Sequence, residues 1–373
     1  MSPRPLRRPR RAALAAILTT AALVTAACGH SSATSAKPSA GTPAGLATGS
    51  KLSTNSVKLG FFPNITHAPA LIAIHDGLFT KALGDGVKLT TATFNAGTDA
   101  IQAVLTGAID ISYIGPNPTI NGFSQSHGQA VRVIAGAASG GAALVVKPTI
   151  TTAADLKGKK IATPSLGNTQ DVALRYWLKQ QGLATDPRGG GDVHIVPEKN
   201  SVTTQAFAQG AIDGAWVPEP YATTLVRKSG GHVLVDERTL WPQGRFVTTN
   251  IIVRTDFLTK HADVVEKILE GHVAALAKIH QDPAGAQASF NAELASLTGQ
   301  EVKAEATAAA WKNLEFTADP LPATLLASAQ HASDVGLLDL AQFTAAGGVH
   351  ALYDLAPLNQ ALAAAGQPEV TQP

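Results

Sequence analysis

The hydrophobic pattern of the chain is clearest around one strand, one turn and one helix near its middle. Residues Lys160, Ile161 and Ala162 carry the signal of a buried strand that enters the segment 163–171. Apolar residues in the segment 172–178 then recur at the spacing of a helix. This order predicts a strand, a tight turn and the start of a helix.

The turn itself has the composition of an anion site. Gly167 can adopt backbone angles that are closed to other residues, Ser165 and Thr169 can cap the helix, and Asp171 suits its first turn. Backbone N–H groups at a helix start are unpaired and attract anions. The same turn can also be a self-capped helix start with nothing bound.

A repeat at a spacing of about one hundred residues organises the rest of the body. The segment 102–113, which contains Gly107-Ala108-Ile109-Asp110, matches the segment 205–216, which contains Gly210-Ala211-Ile212-Asp213, at a constant offset. Strand and helix signals alternate in both halves, which is typical of βα units. We therefore predict an α/β protein of two lobes, each built on a mostly parallel sheet flanked by helices.

The predicted lobes are joined by two crossings of the chain. Residues 56–146 form the first part of lobe 1, residues 147–247 form lobe 2, and residues 248–373 return to lobe 1 and end in helices. The crossings are placed near Val146 and Asn250, where they form a two-strand hinge. Asp110 and Asp213 follow the same helix-to-strand turn in both halves and are interpreted as structural.

Ligands of open parallel sheets bind at the carboxyl ends of the strands. Two lobes joined by two crossings bring those ends to either side of one cleft. The loops expected there are 63–67, 96–99, 115–118, 165–169 and 216–221.

The N-terminus predicts export. Residues 1–27 combine a head of five Arg with a short apolar stretch and small residues before Cys28, the chain's one cysteine. A cysteine directly after such a stretch resembles the bacterial lipobox, in which cleavage leaves that cysteine as the lipid-modified N-terminus. One difference is that Thr25 stands where the lipobox usually has Leu. An ordinary secretory signal with an incidental cysteine is the alternative.

Charge and cysteine content exclude several classes of function. Removing residues 1–27 takes away five Arg and no acid, so 24 basic and 27 acidic residues remain and the formal charge is −3. The body has no basic stripe for nucleic acid and no cysteine for a disulfide, a thiolate metal site or a nucleophile. Residues 28–55 are rich in Ser, Ala, Gly and Pro, which predicts a disordered tether.

The body resembles the periplasmic solute-binding proteins of ABC importers in the nitrate, sulfonate and taurine group. Four segments within about 57–343 carry the resemblance, namely residues 60–69, 107–110, 155–162 and 216–220. It implies a hinge-closing fold, a membrane tether, a permease partner and a small anionic or zwitterionic solute. We expect a monomer that acts as a binding protein and holds no cofactor or metal.

Fourteen residues are candidates for ligand binding. Trp216 is expected to form a cleft wall, while Glu219 is either a helix-start acid or a ligand contact. Asp99 either caps a helix or holds an amino group, and His67 either contacts an anion or is a satisfied polar residue. The full set is Asn64, His67, Gly97, Thr98, Asp99, Gly115, Pro116, Asn117, Ser165, Gly167, Asn168, Thr169, Trp216 and Glu219.

The sequence favours a sulfonate as the bound head group. Backbone N–H groups of Gly167, Asn168 and Thr169, with the hydroxyls of Ser165 and Thr169, are the expected donors. A single charge suits neutral donors, whereas a buried dianion without a cation would be costly. Nitrate, bicarbonate and pyrimidine binders stay open as alternatives.

An enzyme related to thiamine pyrimidine synthesis is the rival class. It would need a catalytic pair or a metal cluster, and the sequence offers no His-x-x-x-His and no nucleophile with an obvious base.

Overall fold

The computed structural model describes residues 51–300 and 303–373, and residues 51–373 form one compact unit. The predicted signal peptide, Cys28 and most of the predicted tether lie outside the described residues. The end of that tether is packed, because the Ser53 amide donates to Asp263 Oδ2 at 2.7 Å. No described helix combines the length and apolar character needed to cross a bilayer.

Eleven strands are present in the described residues. They are β1 (Ser56–Phe61), β2 (Lys88–Thr93), β3 (Ile111–Ile114), β4 (Val131–Gly140), β5 (Ala142–Val146), β6 (Lys160–Thr163), β7 (His194–Pro197), β8 (Gly214–Pro218), β9 (His232–Asp236), β10 (Val247–Arg254) and β11 (Leu314–Phe316).

Fifteen α-helices accompany these strands in the described part of the chain. They are α1 (Ala68–His75), α2 (Leu78–Leu83), α3 (Gly97–Leu105), α4 (Pro116–Gln125), α5 (Thr169–Gln180), α6 (Asn200–Ala208), α7 (Tyr221–Ser229), α8 (Thr255–Lys260), α9 (Ala262–Gln281), α10 (Pro283–Thr298), α11 (Ala304–Trp311), α12 (Pro322–Asp334), α13 (Leu340–Ala345), α14 (Gly348–Leu352) and α15 (Ala356–Ala364). Short 3-10 turns include Ile65–His67 and Glu237–Leu240.

The strands form two sheets, which confirms the two-lobed α/β prediction. The first sheet has the order β11-β4-β10-β3-β1-β2 and the second the order β7-β6-β8-β5-β9. In the first, β1 pairs in parallel with β2 and β3, and in the second, β6 pairs in parallel with β7 and β8. The strands near the crossings, β4, β5, β9, β10 and β11, pair antiparallel. The sheets are therefore mixed rather than mostly parallel.

The sequence repeat corresponds to one repeated structural unit. Asp110 Oδ2 accepts the Lys58 amide at 2.9 Å, and Asp213 Oδ2 accepts the Lys160 amide at 3.0 Å. The second oxygen of each carboxylate pairs with a cation. Asp110 lies 3.1 Å from Arg254, and Asp213 lies 2.9 Å from Lys147. Both carboxylates thus tie a strand start to the strand beside it, as the structural interpretation expected.

The crossings differ in position from the sequence-based prediction. β5 pairs with β8 and β9 of the second sheet, so the chain leaves the first sheet between Gly140 and Ala142 rather than after Val146. Gly140 and Gly141 have φ values of 77° and 72°, which glycine adopts without strain. The return crossing precedes Val247, where β10 begins, rather than lying near Asn250.

Each lobe has its own apolar interior. The first sheet is covered by helices that include α1, α4 and α9, with Phe61, Phe79 and Phe290 fully buried among them. The second sheet packs against α5 on one face and α6 and α7 on the other. The carboxyl ends of the parallel strands from both lobes are thereby directed into the space between the sheets.

Candidate functional site

A small polar cavity lies where the strand ends of the two lobes meet, and we call it the interlobe cavity. It has a volume of about 20 Å³. Residues that follow β1, β2 and β3, together with one residue of β10, line it from the first lobe. Residues that follow β6 and β7, together with the last residue of β8, line it from the second. The lining residues are Phe62, Asn64, Thr66, His67, Asn95, Gly115, Asn168, Thr169, Gln170, Asn200, Pro218 and Thr248.

His67 supplies a neutral hydrogen-bond donor on the first-lobe side. The Phe62 amide donates to His67 Nδ1 at 3.2 Å, so the proton of the neutral ring is on Nε2. The imidazole stacks on the Phe62 ring with centroids 4.5 Å apart. Complete burial lowers the pKa of His67 to about 3, since no described partner compensates for the lost solvation. The ring therefore stays uncharged at neutral pH.

Asn64 and Thr66 complete this side of the cavity. Both are buried, and the Thr66 hydroxyl donates to Asn64 Oδ1 at 2.7 Å. This bond turns the Asn64 side-chain oxygen towards Thr66. The two N–H groups of the Asn64 amide are then free to donate elsewhere.

The turn before α5 lies on the second-lobe side, but its backbone does not form the predicted anion cradle. The Gly167 amide donates to Asp171 Oδ2 at 2.7 Å, and the Asn168 amide donates to Ser165 O at 3.2 Å. Asn168 is the helix N-cap, and its side chain accepts the Thr169 amide at 2.6 Å. All three predicted amides therefore have internal acceptors, and the predicted caps Ser165 and Thr169 are not the N-cap.

A buried ion pair explains why this turn satisfies itself. Asp171 and Arg175 are fully buried, and Arg175 Nε lies 2.9 Å from Asp171 Oδ2. The Thr163 hydroxyl donates to the other carboxylate oxygen at 3.1 Å. The carboxylate thus binds the strand end, the turn and the helix together. Gly167 has φ 74°, as predicted from its conformational freedom.

Two side chains at the cavity have unused polar atoms. Thr169 Oγ1 and Asn200 Oδ1 are buried and have no hydrogen-bond partner in the described residues. Buried polar atoms are nearly always hydrogen-bonded, so an unpartnered pair beside one cavity points to a ligand or an ordered water there.

Several predicted residues from opposite lobes meet at the cavity rim. A Cβ added at Gly115 would lie 2.5 Å from Thr169 Oγ1, and one added at Gly97 would lie 3.5 Å from Asn168 Oδ1. The Thr98 hydroxyl donates to Ser165 Oγ at 3.2 Å across the same boundary. The absence of a side chain at Gly115 therefore lets the lobes approach closely.

The electrostatic character of the interlobe cavity is that of a site for one negative charge. The N-terminal residues of α5 and α6 line it, and so does Gly115, the N-cap of α4. The positive ends of three helix dipoles are thus directed at the cavity. None of its lining residues is Lys, Arg, Asp or Glu.

Nine predicted residues lie outside this lining, among them Gly97, Thr98 and Ser165 at its rim. Asp99 is exposed, Gly167 and Pro116 are adjacent to lining residues, and the Asn117 side chain donates to Ser328 O at 3.2 Å, away from the cavity.

Trp216 and Glu219 belong to other surroundings. Trp216 is fully buried in the second-lobe core, and its Nε1 donates to Glu237 Oε2 at 2.7 Å, so the cleft-wall prediction is wrong. Glu219 accepts the amide and hydroxyl of Thr223 at 3.0 and 2.9 Å, which places it at the start of α7. This is the helix-start role that the sequence offered as one alternative.

Sequence reasoning missed part of the lining. Asn200 follows β7 as the other site residues follow their strands, so the rule of strand ends would have found it. Thr248 lies on the crossing strand β10 and donates to the Gly140 carbonyl. Its place depends on the antiparallel crossing, which no local pattern indicates.

Comparison with known proteins agrees with this architecture. The alkanesulfonate-binding protein SsuA from Xanthomonas axonopodis pv. citri, bound to MOPS, superposes with a TM-score of 0.64 at 20% identity, covering 77% of this chain and 95% of that one. The periplasmic nitrate-binding protein NrtA from Synechocystis PCC 6803 has a TM-score of 0.71 at 16% identity, covering 84% and 90%. These similarities show a periplasmic-binding-protein fold.

Sequence relatives carry related names. The taurine-binding periplasmic protein of Escherichia coli (strain K12) is 31% identical over 207 residues, which is 56% of this chain and 62% of that protein. The nitrate/nitrite binding protein NrtA of Synechococcus elongatus is 29% identical over 248 residues, or 59% and 55%. The matches thus span less than two thirds of these relatives, which are binding proteins rather than enzymes. The model of the NMT1-like family matches residues 50–295, and the chain belongs to that family.

Proposed function

We propose that this protein is the extracytoplasmic solute-binding component of an ABC importer and that it captures a small anionic or zwitterionic solute, by preference taurine or another aliphatic sulfonate. The solute binds in the interlobe cavity and passes from there to a permease. One observation carries this proposal: uncharged donors and helix N-termini from both lobes converge on one buried cavity.

The chemistry of the cavity favours a singly charged head group. His67 Nε2–H, the Asn64 amide and the Thr169 hydroxyl are donors without a formal charge. Hydrogen bonds to a charged group contribute about 1.5–3 kcal/mol each, so a few of them can replace a counterion for a monoanion. A sulfonate offers three acceptor oxygens on one charge, which matches this set. The proposed hydrogen-bond donors to the solute are thus these side chains rather than the backbone amides of the turn.

The size of the cavity requires that the lobes separate for binding. A volume of about 20 Å³ holds roughly one water molecule, which is far less than taurine needs. The Gly140-Gly141 crossing and the crossing before Val247 are the places where the backbone can rotate. The described arrangement is therefore closed, and solute enters an open one.

The family membership supports this assignment. The relatives are named for taurine and for nitrate, and the structural neighbours for alkanesulfonate and nitrate, all of which carry a negatively charged group with several oxygens. The predicted signal peptide and Cys28 support an exported protein held at the outer face of the membrane. The domains proposed from the sequence, with the crossings moved to Gly140–Ala142 and before Val247, fit this role.

Calorimetry tests the solute and the site together. We expect taurine to bind the parent protein and Thr169→Val to weaken it about tenfold or more, because one donor to the anion is lost. Thr259→Val, at an exposed threonine of α8, is the matched control and keeps parental affinity. If Thr169→Val binds taurine as tightly as the parent, the solute does not bind in the interlobe cavity. If nitrate binds more tightly than taurine, nitrate replaces taurine as the proposed solute.

Membrane attachment is tested separately. Cys28→Ala should move the protein from the membrane fraction to the medium when expressed with its own leader. An unchanged membrane fraction would contradict lipid anchoring and leave the solute proposal untouched.

A further inference from the structure

A second cavity, of about 300 Å³, lies against the outer face of α5. Four aromatic rings and one acid form its distinctive walls, and we call this set the aromatic box. Its members are Tyr176, Trp177, Glu237, Trp241 and His331. It shares no lining residue with the interlobe cavity, which meets α5 only at Thr169 and Gln170.

The rings of the box are held by one another. Tyr176 and His331 stack with centroids 3.6 Å apart and planes 12° from parallel, and Trp241 lies 5.3 Å from His331. Trp241 also stacks on the buried Phe246 at 5.4 Å. Ring faces and edges are therefore fixed in place around a space that is partly open to solvent. Aromatic faces carry negative electrostatic potential that attracts cations.

Glu237 provides a carboxyl group at this wall, which is negatively charged once it loses its proton. The residue is 2% exposed, and its Oε2 accepts the Trp216 Nε1–H at 2.7 Å. It forms no ion pair among the described residues, because the adjacent Arg238 pairs with Asp236 at 2.6 Å. Burial, with the nearby charge of Asp236, raises the pKa of Glu237 to about 7. A buried carboxylate without a cation is an energetically costly arrangement that a cationic ligand relieves.

The lining has no competing positive charge. Besides the box it comprises Ala173, Gln180, Gln181 and Leu240, and so contains no Lys or Arg. The volume is at the lower end of small-molecule sites, which suits a ligand with one ring or a short branched chain.

We propose that the aromatic box is a second binding site, for a small organic ammonium ion whose charge faces Glu237 and whose apolar body packs against Tyr176, Trp177 and Trp241. A neutral molecule of the same shape would leave the carboxylate unpaired. A molecule whose only charge is negative would be repelled by the carboxylate.

The box also connects the lobes. Tyr176 and Trp177 lie on α5, and Trp241 follows β9, all in the second lobe, whereas His331 lies on α12, which packs on α4 of the first lobe as well as on α5. An occupant thus contacts both α5 and the helix that packs on both lobes.

Benzylammonium and its neutral isostere benzyl alcohol are suitable probes. We expect benzylammonium to bind the parent protein at pH 8 at least tenfold more tightly than benzyl alcohol, by calorimetry and by a change in tryptophan fluorescence. Glu237→Gln should abolish this difference and leave the affinity for benzyl alcohol unchanged. Equal affinity of the two probes for the parent, or no saturable binding of benzylammonium, would overturn the proposal.

Further variants separate the box from folding effects and from the anion site. Trp177→Leu should weaken both probes, and it keeps the proposal testable should Glu237→Gln fail to fold. Trp311→Phe removes a tryptophan from the first-lobe core and should retain the fluorescence change. Thr169→Val should bind benzylammonium as the parent does, and a loss of binding there would place the probe in the interlobe cavity and overturn the proposal.

Discussion

Asn313 Nδ2 donates a hydrogen bond to Glu219 Oε1 at 2.7 Å, which joins the loop after α11 to the end of β8. Arg238 Nη2 donates to Asn313 Oδ1 at 3.2 Å from the same side of the second lobe. The Asn313 carbonyl also lies against the hinge, since a Cβ added at Gly140 would be 2.8 Å from it. One asparagine thus links both lobes at their crossing.

Asn313→Ala should destabilise the protein. Glu219 is buried, which raises its pKa, and loses one of its three donors in this variant. We expect a loss of about 1–3 kcal/mol in the free energy of unfolding, measured by urea denaturation. Lys312→Ala, at the exposed neighbouring position, should stay within about 0.5 kcal/mol of the parent. Equal losses in the two variants would show that the loop, rather than the Asn313 amide, matters.

Local patterns predicted the repeated parts of the fold well. Gly107 and Gly210 end α3 and α6 with φ values of 73° and 77°, and the Asp that follows each accepts a strand amide. The glycine turn is local, whereas each Asp reaches a strand amide 52 or 53 residues earlier in the chain, so the repetition of the motif rather than its local contacts made it recognisable. The position of β5 in the second sheet was not predicted, because its partners β8 and β9 are about 70 or more residues away along the chain.

The sequence predicted which loops form the candidate site, but not which atoms are available there to donate hydrogen bonds to a solute. The strand-end rule brought Asn64, His67, Gly115, Asn168 and Thr169 to one cavity. The assignment of the turn amides to an anion was wrong because it ignored Asp171 as an acceptor for the Gly167 amide. Which acceptor a backbone amide reaches depends on side-chain directions that spacing does not determine.

Solute affinity should not depend on the charge of His67. Its pKa of about 3 keeps the ring neutral from pH 5 to pH 8, so an imidazolium does not contribute to binding in that range. We expect the taurine dissociation constant to change less than twofold between these pH values. His67→Leu removes the Nε2–H donor and should weaken binding at both. A rise in affinity towards pH 5 that is absent in His67→Leu would show that the ring becomes charged.

Closure of the lobes should depend on Gly115. A valine side chain at this position would occupy the space of Thr169 Oγ1, which a Cβ alone would approach to 2.5 Å. Solution scattering should show that saturating taurine reduces the radius of gyration of the parent but not of Gly115→Val. Gly86→Val, where an added Cβ has no neighbour within 4 Å, should close like the parent. Closure of Gly115→Val would mean that the contact is not part of the closed state.

The buried carboxyl of Glu237 should make stability depend on pH. Its folded pKa is about 7 against an ordinary 4.5, so the folded protein binds more protons than the unfolded chain between these values. Stability from this group is therefore fully present below about pH 4.5 and is lost as pH rises towards 7. The shift corresponds to up to about 3 kcal/mol.

Glu237→Gln isolates this contribution, because glutamine mimics the protonated acid and cannot titrate. Urea unfolding should show the variant close to the parent at pH 5 and more stable by up to about 3 kcal/mol at pH 8. All other titrating groups are common to both proteins, so they cancel in the difference. Glu305→Gln, at a carboxylate in the first turn of α11, serves as the control and should differ from the parent by the same amount at both pH values. A stability difference between Glu237→Gln and the parent that is independent of pH would show that the carboxyl is ionised throughout. In that case Trp216 Nε1 and its other neighbours would stabilise the charge more than burial disfavours it.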